Sequence, residues 1–207
     1  MRTLTAHEAV PGHHFQIALA NEMPTLPYFR KALAEFTSFV EGWGLYSEKV
    51  ARELGFYATT RDPRDPSKPP VEGYDLLGHF GDELLRASRL VVDTGIHAMG
   101  WSRSRAIEYM TANTMLSPSD VVTEVERYAV LPGQACAYKV GALRIVALRD
   151  ALSKELGPEG FDVRLFHRAM LEGGAVPLST MEAFVSRRCR DGARKKHLLQ
   201  SLLKKNA

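Results

Sequence analysis

Cysteine is scarce in this chain. Cys136 and Cys189 are its two thiols among 207 residues. That excludes a disulfide framework, and no CxxC pair offers a thiolate metal site, so both are expected to be buried thiols. Long hydrophobic runs are absent as well. No stretch approaches the roughly 20 apolar residues of a membrane span. No signal peptide precedes the first motif, so the cytoplasm is the default expectation, with no membrane partner. Charge of one sign is thin. The formal net charge is +3, and the surplus gathers between Arg187-Arg188 and Lys204-Lys205. Without interleaved aromatics such a tail reads as a solvated helix end, and no nucleic-acid partner is expected. What remains, 25% charged and 45% hydrophobic residues, is ordinary for a globular protein. The length suffices for a real core.

Apolar residues recur at helical spacing along most of the chain. The pattern predicts helices over 5–22, 28–54, 74–99, 103–115, 118–129, 134–156, 161–172, 178–189 and 192–205. Ser102 reads as an N-cap, and Ser117-Pro118 opens the next helix. Gly157-Pro158 closes another. The stretch from 58 to 73 carries Pro63, Pro66, Pro69 and Pro70 and reads as a loop. Only Val176 and its flanks hint at extended chain. The expected class is all-α, a single multi-helix domain over 1–207.

Against this background one segment stands out: His7-Glu8-Ala9-Val10-Pro11-Gly12-His13-His14. It holds three of the seven histidines and one carboxylate. Imidazoles suit zinc and similar ions, and an acid beside the first His suits a base acting on metal-bound water. The spacing departs from His-Glu-x-x-His, since the i+4 position from His7 is Pro11. On an unbroken helix His7 and His13 would lie about 120° apart in azimuth and about 9 Å along the axis. Pro11, however, cannot sit undisturbed in a helix, and Gly12 accepts almost any backbone angle. Looping out two residues returns His13 to the i+4 position from His7. Looping out three would bring His14 there, at the cost of a larger distortion.

A zinc site of the peptidase type takes three protein ligands plus water. The next long helix carries Glu41 and Glu48 within Val40-Glu41-Gly42-Trp43-Gly44-Leu45-Tyr46-Ser47-Glu48. Seven residues apart, the two share a face. Both lie among large apolar residues, where a carboxylate is costly unless paired or bound to metal. Gly42 and Gly44 weaken the helix and point to close approach of another element.

HEAVPGHHFQ, VEGWGLYSE, RASRLVVDTGIHAMGWS, ERYAVLPGQACAYKVG and FDVRLFHRAMLEGGAVPL occur in this order along nearly the whole chain. In them the sequence resembles the family catalogued as domain of unknown function 885, grouped with zinc peptidases of the HExxH type. The resemblance implies a largely helical, metallopeptidase-like fold and zinc-dependent peptide hydrolysis. It implies His7, His13 and Glu41 as ligands of one zinc ion and Glu8 as general base. His14 and Glu48 are alternative ligands or residues just behind the ligands. It also implies that Gln134, Tyr138, Arg127 and Tyr128 line the substrate cleft. Family members are usually longer, with most of the extra sequence before the HE motif. The chain therefore matches the C-terminal part of the family fold.

In such a site Tyr138, just after the Pro132-Gly133-Gln134 break, is the candidate donor to the oxyanion. His97 is a candidate for substrate binding, against the plainer role of a satisfied core residue. Arg127 and Arg144 could grip a substrate carboxylate, although salt bridges within the bundle are the plainer role. His79 and His197 carry no functional argument. The expected function is a zinc metallopeptidase acting on peptides. The alternative is a catalytically incomplete helical binding or assembly module, forming a homodimer or meeting a missing N-terminal region.

Overall fold

The computed structural model describes residues 2–32, 36–57, 65, 67 and 73–205. Ten helices follow one another: α1 (Arg2–Glu8), α2 (His13–Glu22), α3 (Tyr28–Ala32), α4 (Thr37–Glu53), α5 (Tyr74–Met99), α6 (Arg103–Asn113), α7 (Pro118–Val130), α8 (Gln134–Gly160), α9 (Val163–Glu172) and α10 (Leu178–Lys205). The protein is an all-α multi-helix bundle, with no strand among the described residues. The extended chain hinted at around Val176 is a turn-and-coil link between α9 and α10.

Local chemistry explains most boundaries. Ser102 Oγ accepts the Arg105 amide at 3.2 Å. Ser117 Oγ accepts the Asp120 amide at 3.3 Å, with Pro118 in the first helical turn. Asp162 caps α9 by accepting from the amides of Arg164 and Leu165. These side chains satisfy amides that have no partner inside their own helix.

Four boundaries differ from the sequence reading. The motif helix is two helices, α1 and α2. The helix expected over 28–54 is α3 and α4, with Phe36 in a non-helical conformation just before Thr37. Gly157 interrupts α8 with φ 66°, but helix resumes through Pro158 to Gly160. Finally, α10 runs unbroken through Gly192. A Cβ there would overlap Leu165 of α9, so this glycine serves helix packing within one continuous helix. The four-proline loop falls almost wholly outside the described residues.

Two cores share the long helices. Phe39, Trp43 and Tyr46 of α4 pack with Ile145 and Leu152 of α8, Phe166 and Met170 of α9, and Met181, Val185 and Cys189 of α10. Leu85 and Val92 of α5 pack with Met110 of α6, Val121, Val125 and Tyr128 of α7, and Ala135 of α8. Burial pushes the Cys189 thiol up to about 11. Burial and the neighbouring Asp93 do the same for the half-buried Cys136. The helices α4 and α8 cross at two glycines: a Cβ on Gly42 would lie 2.6 Å from the Gly141 Cα. That contact brings the polar residues of α4 under α1, α2 and α5.

Candidate metal centre

The break between α1 and α2 sets the first two ligand candidates. The Phe15 amide donates to the Ala9 carbonyl at 3.2 Å. That bond spans six residues where an α-helical bond spans four, so the break accommodates two extra residues. The same offset relates His13 to His7. Trp43 Nε1 donates to the Pro11 carbonyl at 2.9 Å and pins the bend to α4. Gly12 fits because a Cβ there would overlap the His7 carbonyl. The His7 and His13 rings end 4.7 Å apart between centroids, edge to face. His14 is exposed and stays outside the group.

Helix α4 supplies the acids. Glu41 Oε2 lies 3.2 Å from His13 Nε2 and 3.7 Å from His7 Nε2. One ligand atom from each of His7, His13 and Glu41 falls within 4.8 Å of the others. The far side of the His7 ring is held by Glu48, with Nδ1 2.7 Å from Oε1. Glu48 is 1% exposed. In the neutral imidazole, a proton on Nδ1 shared with Glu48 would leave the Nε2 lone pair facing Glu41 and His13, the usual arrangement behind a metal-bound imidazole.

The electrostatics follow from this packing. Burial by itself lowers the pKa of His7, but its hydrogen bonds to Glu41 and Glu48 outweigh that and raise it to about 9. Burial raises Glu41, yet bonds from His13 and His7 prevail and lower it to about 2. Glu48 is likewise raised by burial and lowered more by His7 and His79. His13 Nδ1 and Glu48 Oε2 are buried without a hydrogen-bond partner.

Tyr138 stands at the same place. Its ring stacks on that of His7, 6.3 Å between centroids, and its hydroxyl receives Gln134 Nε2 at 3.4 Å. The Arg89 guanidinium lies 4.9 Å from its ring centroid. Glu8, at the end of α1, is exposed beside His7 and is not one of the three clustered residues. Gln134 joins Glu41 in lining a cleft of about 470 Å³, together with Gln16, Arg30, Lys31 and Thr37.

Other candidates lie elsewhere. Tyr128 is 1% exposed; its hydroxyl donates to Glu124 at 2.6 Å and accepts from Arg89 at 3.1 Å. It belongs to the interior between α5 and α7, not to a cleft wall. His97 is exposed on α5 and contacts the Tyr128 carbonyl at 2.8 Å, outside the cluster. Arg127 donates to Gln134 at 3.2 Å and pairs with Glu124. Arg144 grips Glu182 through two nitrogens at the surface. Two participants carried no signal in the sequence. His79, buried on α5, places Nδ1 3.8 Å from Glu48 Oε2, and its ring stacks on Tyr57 at 5.0 Å. Gln16 is buried with its carbonyl oxygen unpartnered. Both become visible only once the helices cross.

The family model described as bacterial protein of unknown function (DUF885) matches residues 1–185. The chain belongs to this family. A solved structure of a candidate lipoprotein from Colwellia psychrerythraea is similar, at 45% identity and TM-score 0.81. The match covers 91% of this chain and 30% of that one. A candidate lipoprotein of unknown function from Shewanella oneidensis shares the fold at 23% identity and TM-score 0.73. There the match covers 87% of this chain and 30% of the other. The chain thus spans about 30% of the length of these solved relatives. No curated protein matches it. The cytoplasmic default is overturned here, because both relatives are described as lipoproteins, a class held at a membrane outside the cytoplasm. Among the described residues no helix is long and apolar enough to cross a membrane.

Proposed function

We propose that this DUF885 chain carries the centre of a zinc-dependent peptide hydrolase, with His7, His13 and Glu41 holding one ion. The observation that carries this reading is the convergence of their three ligand atoms. Tetrahedral zinc with bonds near 2.0–2.1 Å places neighbouring ligand atoms about 3.3 Å apart. The two distances to Glu41 Oε2, 3.2 and 3.7 Å, bracket that value. The donor set, two imidazoles and one carboxylate, is that of zinc peptidases with an open fourth position. Gly44 supports the fit: a Cβ there would meet His7 Nε2 at 2.7 Å and His13 Cε1 at 2.9 Å. The helix therefore omits a side chain where the three groups meet.

Bound zinc would supply Lewis-acid polarisation and a water of lowered pKa. Glu8, exposed beside His7, takes the proton released as water adds to the scissile carbonyl, then passes it to the departing amine. Hydroxyl goes to the carbonyl carbon and the proton to nitrogen, so the amide is hydrolysed without any other reactant. Tyr138, stacked on the His7 ring, donates to the developing oxyanion. Glu48 keeps the His7 ring in its orientation. By likeness to its relatives, the chain works outside the cytoplasm.

Elemental analysis after zinc reconstitution tests this reading. About one zinc per chain is expected, lost in His7→Ala and in Glu41→Ala. Glu8→Gln should retain the ion and lower peptide hydrolysis about 10²-fold or more. A wild-type chain that binds no transition ion overturns the reading. One that binds zinc but hydrolyses nothing favours the helical binding module.

A further inference from the structure

The cleft beside the candidate centre has an unequal charge distribution. Glu41 is the one carboxylate among its described lining residues, and His7 and His13 already engage it. The free charges are cationic. Arg30 donates through Nη2 to the Gly173 carbonyl, and Lys31 donates to the Asn21 carbonyl at 2.9 Å. Both partners are neutral. Arg30 and Lys31 have no acidic partner among the described residues, whereas Arg144, Arg149 and Arg190 each pair with a glutamate. A guanidinium has five N–H donors and an ammonium three, so each keeps donors to spare.

The amides add a second, independent observation. Gln16 is 4% exposed, lines the cleft, and leaves its carbonyl oxygen without a partner. A buried acceptor of this kind is costly unless a ligand N–H satisfies it. Gln134 presents a further amide on the same cleft. A volume of about 470 Å³ lies within the range of small-ligand pockets.

We infer that the cleft binds the carboxyl-terminal end of a peptide, with Arg30 and Lys31 receiving the free carboxylate and Gln16 accepting a backbone N–H. The inference rests on the hydrolytic reading above and specifies its substrate as a short peptide cut near its carboxyl end. An aminopeptidase cleft would need an unengaged carboxylate for the substrate's ammonium, and the described lining residues offer none.

Binding and hydrolysis are measured separately on the zinc-reconstituted chain. The probes are acetyl-tetraalanine with a free carboxylate and the same peptide as its carboxyl-terminal amide. Binding is followed by calorimetry with Glu8→Gln and hydrolysis with the unsubstituted chain. The acid should bind about tenfold or more tightly than the amide, the discrimination given by a charge-assisted hydrogen bond. Lys31→Met and Arg30→Gln should each erase most of that preference and weaken the acid alone. Thermal unfolding identifies any variant that has lost its fold, and the two replacements are independent of each other. Equal binding of acid and amide, or binding of neither, overturns the inference. Acid-selective binding without hydrolysis leaves it standing and removes the hydrolytic reading instead.

Discussion

Helix α4 carries two histidine-centred polar clusters, and they are built on opposite principles. In one, the Tyr46 hydroxyl meets His167 Nε2 at 2.8 Å and Arg149 at 3.1 Å, and Arg149 continues to Glu53 at 2.7 Å. Burial first and Arg149 second lower the pKa of His167. Burial raises the Tyr46 phenol to about 12 against the pull of Arg149. In the other, two imidazoles and Glu41 aim at a common point, and His13 Nδ1 and Glu48 Oε2 are buried without partners. The first cluster closes its own hydrogen bonds and ties α4 to α8 and α9. The second leaves ligand atoms converging, which is costly unless something binds between them. The presence of histidine does not separate the two; the direction in which the polar atoms face does.

Four substitutions or measurements break or sharpen this contrast. The largest effect is expected from Gly44→Ala. Its Cβ would enter the space between the two imidazoles, and binding constellations tolerate displacements of only about 0.5 Å. Zinc content should fall to near zero while thermal stability holds or rises, because alanine favours a helix by roughly 0.5–1 kcal/mol over glycine. Next, Glu48→Gln should weaken zinc affinity about 10–100-fold, the usual result of altering the group behind a ligating imidazole; a competition titration with a chelator reads this directly. Tyr46→Phe should leave zinc affinity unchanged and lower stability by about 1–2 kcal/mol in denaturant unfolding, from the lost hydrogen bonds.

The smallest effect is one of protons. Metal needs the neutral imidazole. With its pKa raised to about 9, metal-free His7 is an imidazolium at pH 7, with a proton on Nε2 as well as Nδ1. Zinc uptake there should release the Nε2 proton, and affinity should climb with pH until about 9. Calorimetry in buffers of different ionisation enthalpy reads the release, and pH-independent affinity between 7 and 9 would contradict it. His167 lies on the other side of the contrast. Its lowered pKa keeps it neutral at pH 7, and it should take no part.

The sequence exposed much of this arrangement because the relevant signals are local. A proline and a glycine between His7 and His13 demand a loop-out, and the Phe15–Ala9 bond shows an offset of two residues. The seven-residue spacing of Glu41 and Glu48 puts both on one face of α4, where the structure finds them against His7. Serine caps before α6 and α7 announced their starts. What stayed hidden depends on which helices cross. The break expected between 189 and 192 does not occur, and Gly192 is a seat for Leu165. His79 lies 31 residues from Glu48 in sequence and meets it only through the packing of α5 on the site. Tyr128, chosen by its motif, turns inward because Glu124 and Arg89 claim its hydroxyl.

The glycine crossing of α4 and α8 has one more consequence. Gly42 adjoins Glu41, and Gly141 lies one turn along α8 from Tyr138. The backbones touch beside Glu41, which meets His7 and His13, and beside the phenol that stacks on His7. A side chain at either glycine would act as a wedge, prying α8 away and carrying the phenol with it, so the fulcrum of the bundle and the gap between acid and phenol are set by the same absent atoms.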